Sequence, residues 1–543
     1  MGVTPYQRPA RPLEPYPEIS WSGWGDPAQA AALPPELLEL VRAGLGVRGP
    51  AMPAPKIGEL RLPAPRLPAA SSERLSTIVG AANVRTDDES RVRHTRGKST
   101  TDLLRLRAGE LAGCPDAVLV PGSHDQVLEL LALCAAEGIA VVPFGGGTSV
   151  VGGLEPDAGT STAVLALDLR RLNALLGLDE ESRVATLEPG LRGPEAEALL
   201  GARGYTLGHF PQSFMYATIG GFAATRSSGQ ASAGYGRFDD RVVALRVATP
   251  EGTLELGRAP RSAAGPDLRQ LLLGSEGAFG VITALTVEVS PAPAARAYDG
   301  WRFESFAGGS MALRALIQDG PVPTVMRLSD ELESALNLAR PESIAAAPPG
   351  GGCLAIAGYE GCAEDVAWRR ERAGVVLAEL GGVFEEGAGA AWERGRYRAP
   401  YLRDSLLDAG ALVETLETAA FWSRLPALYE AVRASLAETL GAQGTAPIVM
   451  CHISHCYRSG ASLYFSVACA AGEDPVAQWR TAKAAASDAI LAAGGTITHH
   501  HGVGTDHLPW LEREQGALGV RALAAVKRAL DPAGVMNPGV LVR

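Results

Sequence analysis

Residues 143–153 read PFGGGTSVVGG and follow directly on an apolar run, Ile139–Val142. Consecutive glycines open backbone conformations that other residues rarely adopt, and they let the main chain approach a ligand closely. Their N–H groups, with the Thr148 and Ser149 hydroxyls, make a donor set suited to a phosphate or pyrophosphate. No Gly-Lys-Ser/Thr follows, so the loop is not a P-loop, and its glycine spacing departs from G-x-G-x-x-G. Upstream, Ala117–Val120 is another apolar run, and Pro121-Gly122 turns the chain. Ser123, with Gln126 three residues later, predicts a capping box for a helix carrying Val127, Leu130, Leu131 and Cys134. Gly138 ends that helix. The unit is β-α-β, and its second strand delivers the glycine loop.

Around it lies a chain of 543 residues, long enough for two or three domains. Lys and Arg number 49 against 60 Asp and Glu, a net charge of −11, which excludes the basic footprint of nucleic-acid binding. Hydrophobic residues at 46% and charged residues at 20% suit large cores. No run of about 18 uncharged apolar residues predicts a membrane span. Pro5, Glu14, Glu18 and Asp26 occupy the stretch where an export signal needs apolar residues. The 7 cysteines fit a reducing compartment better than a disulfide scaffold. A cytoplasmic multidomain enzyme is expected.

Further strands are predicted at Ala163–Leu167, Val184–Leu187, Val242–Val247 and Val281–Val289. Helices are predicted near Pro35–Leu45 and over Leu518–Leu530, the latter stopped by Asp531-Pro532. Ile344–Gly352, IAAAPPGGG, reads as a linker or exposed loop. The class is α+β: a Pro-rich arm (1–110), a mixed domain (111–292), a second domain (293–480) and a helical C-terminal segment (481–543).

Two downstream segments also offer close backbone approach and neutral hydrogen-bonding groups: Gly208–Ser228, GHFPQSFMYATIGGFAATRSS, and Gly265–Ile282, GPDLRQLLLGSEGAFGVI. The order glycine loop, GG-x(4)-R, GSEG-x-x-G-V-I resembles the FAD-binding domain of the vanillyl-alcohol oxidase (PCMH-type) flavoprotein superfamily. The resemblance implies a PCMH-type FAD-binding domain of two α+β subdomains and an α+β cap domain. It also implies a C-terminal segment packed back on the FAD domain. By the same resemblance, Pro143, Phe144, Gly145, Gly146, Gly147, Thr148 and Ser149 cradle the pyrophosphate. Further FAD contacts fall on Gln212, Ser213, Thr218, Thr225, Arg226, Ser227, Ser228, Glu276, Gly277, Gly280, Val281 and Ile282. Some members attach FAD through a His or Cys in or near the loop. This loop has neither, so non-covalent FAD is expected.

The least ordinary string is Gly494–Gly504, GGTITHHHGVG. Adjacent histidines cannot share one face of a strand, and on a helix they would fan over about 200°. The flanking glycines predict a tight, buried turn. This string is similar to the His-triplet segment of the alkylglycerone-phosphate synthase (alkyl-dihydroxyacetone-phosphate synthase) family of ether-lipid synthesis. WSGWG at 21–25, GHFPQS at 208–213, PTVMRLSD at 323–330, YLRD at 401–404, ETLETAAFW at 414–422 and YRSGASLYF at 457–465 resemble that family in the same order. Phe210 and Gln212 depart from its pattern, where eukaryotic members carry Glu and Asp.

The resemblance implies Tyr464 as catalytic acid/base, Arg403 as substrate binder, Arg327 as an essential arginine, and His499, His500 and His501 around the headgroup. It implies exchange of the acyl chain of acyl-dihydroxyacetone phosphate for a long-chain fatty alcohol, through flavin N5 and without net redox. A free Tyr titrates near pH 10 and is a weak base at neutrality, so nearby Arg or His⁺ is expected to lower it. From the residues alone, Tyr464 reads as a strand aromatic, and Arg327 and Arg403 as surface ion-pair residues. A homodimer and peripheral membrane contact stay open.

The rival within the superfamily is an FAD-dependent 2-hydroxy-acid dehydrogenase or oxidase. Some of those enzymes bind a divalent metal through H-x-G-D-G-N-x-H. CHISHCYRSGASLYF at 451–465 keeps only His452 and His455 as candidate ligands, so no metal is expected, and Cys451 and Cys456 read as structural. A flavin- or lipid-binding protein without turnover is the rival of another class.

Overall fold

The computed structural model describes residues 18–30, 35–49, 51–155, 157–336 and 351–542. The start of the N-terminal arm and most of the 344–352 linker lie outside the described residues.

The first sheet has the order β1-β2-β4-β3, with β1 (Val84–Arg85), β2 (Ala117–Leu119), β3 (Ala140–Phe144) and β4 (Val164–Asp168). Strands β2, β4 and β3 run parallel, and nearly every residue in them is buried. That is why they read as continuous apolar runs and not as alternating ones. Helix α1 (His124–Glu137) connects β2 to β3, and Gly138 caps it in the left-handed region. Ser123 Oγ accepts from Gln126 N at 3.2 Å as expected, whereas the Gln126 side chain accepts from Gly122 N, one residue before the cap.

The second sheet is antiparallel, β5-β6-β9-β7-β8, built from β5 (Leu175–Asp179), β6 (Val184–Leu187), β7 (Val242–Thr249), β8 (Gly252–Leu256) and β9 (Val281–Glu288). A short helix, α2 (Ile219–Ala224), packs on β9. The third sheet is antiparallel with order β13-β10-β12-β11-β15-β16-β14. Its strands are β10 (Ala295–Phe303), β11 (Val325–Ser329), β12 (Cys353–Gly361), β13 (Val383–Glu385), β14 (Ala411–Phe421), β15 (Ile448–Cys456) and β16 (Gly460–Ala470). Cys451 and Cys456 lie buried in its core, and all 7 cysteines are free thiols.

The C-terminal helical segment α3 spans Leu508–Leu530 and is broken at Gly516 (φ 74°, ψ 155°), so the part beyond the break is the helix predicted over Leu518–Leu530. Beyond it the chain returns to β3: Val141 N donates to Val535 O and Asn537 N to Val141 O, both at 2.8 Å. Asn537 Nδ2 then donates to Glu276 O at 2.7 Å and Gly153 O at 3.0 Å, tying the C-terminus to the glycine-loop region. Among the described residues, no helix is long and apolar enough to cross a membrane.

Candidate active site

A cleft of about 410 Å³ separates the glycine loop from the third sheet. That is within the roughly 300–1,000 Å³ usual for ligand sites. Its near wall is residues 143–149, the start of α2, residues 275–277 and residues 280–282. Gly146 is there by necessity, because a Cβ would lie 2.0 Å from the Tyr216 carbonyl oxygen. Thr218 caps α2 by accepting from Gly221 N at 3.3 Å.

Strand register builds the far wall. Glu417 on β14 lies opposite Tyr464 on β16, which lies opposite His452 on β15, which lies opposite Ser329 on β11. Directly opposed residues project on the same face of a sheet, so Glu417, Tyr464 and His452 form a row. The His452 ring stacks on Tyr464 at 4.9 Å, and His501 meets it edge-on at 5.6 Å. The Tyr464 hydroxyl donates to Thr415 Oγ1 at 3.0 Å.

These surroundings correct one expectation. Burial pushes the Tyr464 phenol up to about 12; the Thr415 hydrogen bond and Arg403 pull it down, while Glu414 and Glu417 push it further up. Tyr464 is a protonated phenol at neutral pH.

Arg327 NH2 donates to Glu333 Oε1 at 2.8 Å and lies 3.0 Å from His452 Nδ1. Burial would raise the Glu333 carboxyl, but His452 and Arg327 hold it down at about 2. Arg403, on α-helical residues Ala399–Asp408, gives Nε and NH2 to Asp404 Oδ1 (3.1 and 2.9 Å) and NH1 to Lys98 O. Asp404 Oδ2 also accepts from Trp24 N, while Lys98 Nζ donates to Ser20 O and Trp21 O, so WSGWG is strapped to the mouth beside Arg403. Burial lowers the Lys98 amine to about 7, against the pull of Asp404.

The three histidines sit in a turn, as predicted, and that turn closes on a carboxylate. Glu417 Oε1 accepts from Thr498 Oγ1 (2.6 Å) and from the backbone N–H groups of His499, His500 and His501 (3.0–3.1 Å), and Oε2 accepts from His499 N at 2.7 Å. A buried carboxylate costs several kcal/mol without such partners. Burial alone would raise this carboxyl, but His500, His501 and His499 keep it well below its usual range.

The next turn is held likewise: Glu276 Oε2 accepts from Val503 N and Gly504 N at 2.9 and 3.0 Å. A Cβ on Gly504 (φ +53°) would lie 1.9 Å from Val151 O, so the histidine turn abuts the chain leaving the glycine loop.

The cleft gathers Tyr464, Arg403, Arg327, His500 and His501 with residues 143–149, Gln212, Ser213, Thr218, Thr225, Ser227, Ser228, Glu276, Gly277 and 280–282. Two expected residues stand outside it. The Arg226 side chain turns to Leu273 O, Gln270 O and Asp239, anchoring the GSEG segment instead of lining the cleft. His499 lies behind His500, with Nε2 2.7 Å from Tyr457 OH and Nδ1 2.9 Å from His500 Nδ1. Sequence reasoning assigned no role to Glu417, Glu333 or Lys98. The signal for Glu417 was an acidic residue inside an apolar strand, since such residues are rarely buried unless paired.

His455, His499 and His500 bring ligand-capable atoms within 4.8 Å of one another. The 2.9 Å approach of the His499 and His500 Nδ1 atoms is a hydrogen-bond geometry, with one proton between two nitrogens.

A family model described as "FAD binding domain" matches residues 115–257, and one described as "FAD linked oxidases, C-terminal domain" matches 292–541. The chain is 33% identical to the alkyldihydroxyacetonephosphate synthase of Trypanosoma brucei brucei, over 97% of this chain and 93% of that one. It belongs to the alkyldihydroxyacetonephosphate synthase family. The Dictyostelium discoideum synthase is 32% identical over 98% of this chain and 95% of its own. A solved alkyldihydroxyacetonephosphate synthase superposes with a TM-score of 0.82 at 29% identity, covering 96% of this chain and 98% of that one. Similarity to p-cresol methylhydroxylase (TM-score 0.67, 17% identity, 87% of this chain and 96% of that one) speaks for the fold alone.

The family matches make FAD the cofactor of this synthase-family chain. The cleft fits it. The glycine loop admits no side chain at Gly146, and Gln212 Nε2 is buried at the near wall with no hydrogen-bond partner among the described residues. A buried donor of that kind is expected to meet a ligand acceptor.

Proposed function

We propose that the protein replaces the acyl chain of acyl-dihydroxyacetone phosphate with a long-chain alcohol, releasing a fatty acid without net redox. The observation that carries this reading is the single cleft in which the glycine loop faces Tyr464, Arg403, His500 and His501, in a chain one-third identical throughout to alkyldihydroxyacetonephosphate synthase. FAD, when bound, supplies an electron-poor ring at the reacting carbon.

The chain's own residues hold the substrate and move its proton. Arg403 and Arg327 offer guanidinium N–H groups to the phosphate, a geometry that suits its oxygens. His500 and His501 flank the headgroup. Tyr464, protonated at neutral pH, holds the proton exchanged at C1 of dihydroxyacetone phosphate. Protonated at rest, Tyr464 first gives its proton to the departing fatty-acid carboxylate, and the phenolate so formed takes the C1 proton that is later returned, so acid and base roles alternate over the cycle. The apolar end of the cleft, with Leu402, Leu406, Val413 and Ala468, suits an alkyl chain.

Mass spectrometry of products after incubation with acyl-dihydroxyacetone phosphate and hexadecanol tests the proposal; an ether product and free fatty acid are expected. A glycolate oxidase subunit from Bacillus subtilis is 26% identical over 78% of this chain and 88% of its own. Flavin bleaching by a 2-hydroxy acid without alcohol, and no ether product, would replace the transferase reading with that one.

A further inference from the structure

We propose that Glu417 is the positioning residue of the three-histidine turn, gathering its backbone N–H groups so that the imidazoles stand at fixed places against Tyr464. The inference deepens the function proposed above and rests on it for its kinetic arm only.

Three successive backbone N–H groups and the Thr498 hydroxyl converge on one buried carboxylate. Successive N–H groups converging in this way form an anion-binding concavity, here occupied by a side chain of the same protein. With its backbone donors turned inward to Glu417, the turn directs its side chains around the carboxylate. His500 then stacks with Tyr464 at 6.3 Å, His501 meets it edge-on, and His499 backs His500 from the Tyr457 side. The strand register joins the two functions: Glu417 and Tyr464 are a directly opposed pair, so the anchor of the turn and the proton-carrying phenol share one rigid frame. Side chains held on strands are placed more accurately than side chains held by a loop alone. The Glu417 carboxylate does not line the cleft, so its effect is exerted through the histidines.

Two measurements on FAD-loaded full-length protein test this. Amide hydrogen exchange on the wild type should show the N–H groups of His499, His500 and His501 protected at least 100-fold, to the level of the β14–β16 ladder, although they belong to no strand or helix. Exchange at open-loop rates would overturn the proposal, and this arm needs neither a variant nor a known substrate. In the second arm, Glu417→Gln, which keeps one acceptor oxygen, should lower kcat about 10- to 100-fold while KM for hexadecanol stays within twofold. Glu417→Ala should fall further. Gln and Ala variants with wild-type kcat would sink the idea even if their thermal midpoints drop, because that is the pattern of a merely structural residue. Should His500→Ala and His501→Ala prove fully active, the headgroup reading fails, and Glu417 is then judged on amide protection alone.

Discussion

The Tyr464 hydroxyl gives its hydrogen bond to Thr415 Oγ1, two residues along β14 from Glu417, at 3.0 Å. The phenol is thus oriented by the sheet that carries it. Tyr464→Phe keeps the ring between His452 and His501 and removes the proposed proton carrier together with its hydrogen bond to Thr415. Turnover should drop by about 10²–10⁴, the usual worth of general acid/base catalysis, with FAD content unchanged and stability lowered by no more than the one hydrogen bond to Thr415 is worth. Thr415→Val removes one hydrogen bond worth about 0.5–1.5 kcal/mol, so its loss should stay near tenfold. Steady-state rates of the two variants decide the order, and an equal or larger loss for Thr415→Val would contradict it.

Gly146 presents a sharper constraint than a ligand alone would impose. Its missing Cβ would lie 2.0 Å from Tyr216 O and 2.7 Å from the Tyr216 carbonyl carbon, both backbone atoms that cannot swing aside. Gly146→Ala should therefore already cost FAD occupancy, and Gly146→Val should abolish it. The ratio of flavin to protein absorbance in the purified variants reports this directly. Full occupancy in the Val variant would mean that the loop is free to move as a body.

Much of this architecture was open to reading because parallel strands buried on both faces write themselves as apolar runs, as β2, β3 and β4 do. The histidine turn was legible too, since glycines bracket it. What pattern could not supply was pairing across hundreds of residues. No periodicity links Glu417 to His500, and nothing local distinguishes Arg226, which turns away to Gln270 and Leu273, from its neighbours that line the cleft. The Tyr464 phenol is likewise set by residues far apart in sequence: Arg403 and the Thr415 hydrogen bond lower it, but burial and two glutamates outweigh them.

Arg403 spends Nε and NH2 on Asp404 and NH1 on Lys98 O while facing the cleft. Its planar fork bridges the WSGWG strap and the site, which a lysine's point charge cannot do. Arg403→Lys should raise KM for the phosphate-bearing substrate by at least tenfold, and limited proteolysis should cut more readily near residues 20–26. Unchanged KM with unchanged proteolysis would place Arg403 outside the site.

No histidine or cysteine stands within the glycine loop, so FAD should leave with the supernatant when the protein is precipitated with acid. Absorbance near 450 nm in the pellet after washing would show a covalent link.

Glu276 gives a stability test with a defined sign. Burial raises its carboxyl to about 7, opposed by the hydrogen bonds from Gly504 N and Val503 N. In the unfolded chain a glutamate titrates near 4.3. Between those values the folded protein holds a proton that the unfolded chain has released, so stability falls as pH rises through the window. Glu276→Gln mimics the protonated form, keeps one acceptor for the 503–504 backbone and does not titrate. All other groups cancel in the difference between the two proteins. The wild-type melting midpoint, taken relative to that of Glu276→Gln, should therefore be highest near pH 4.5, decline to about pH 7 and level off above it. A difference that stays flat across that range would show Glu276 already ionised at pH 5, and the turn at 503–504 would then be held by a full charge.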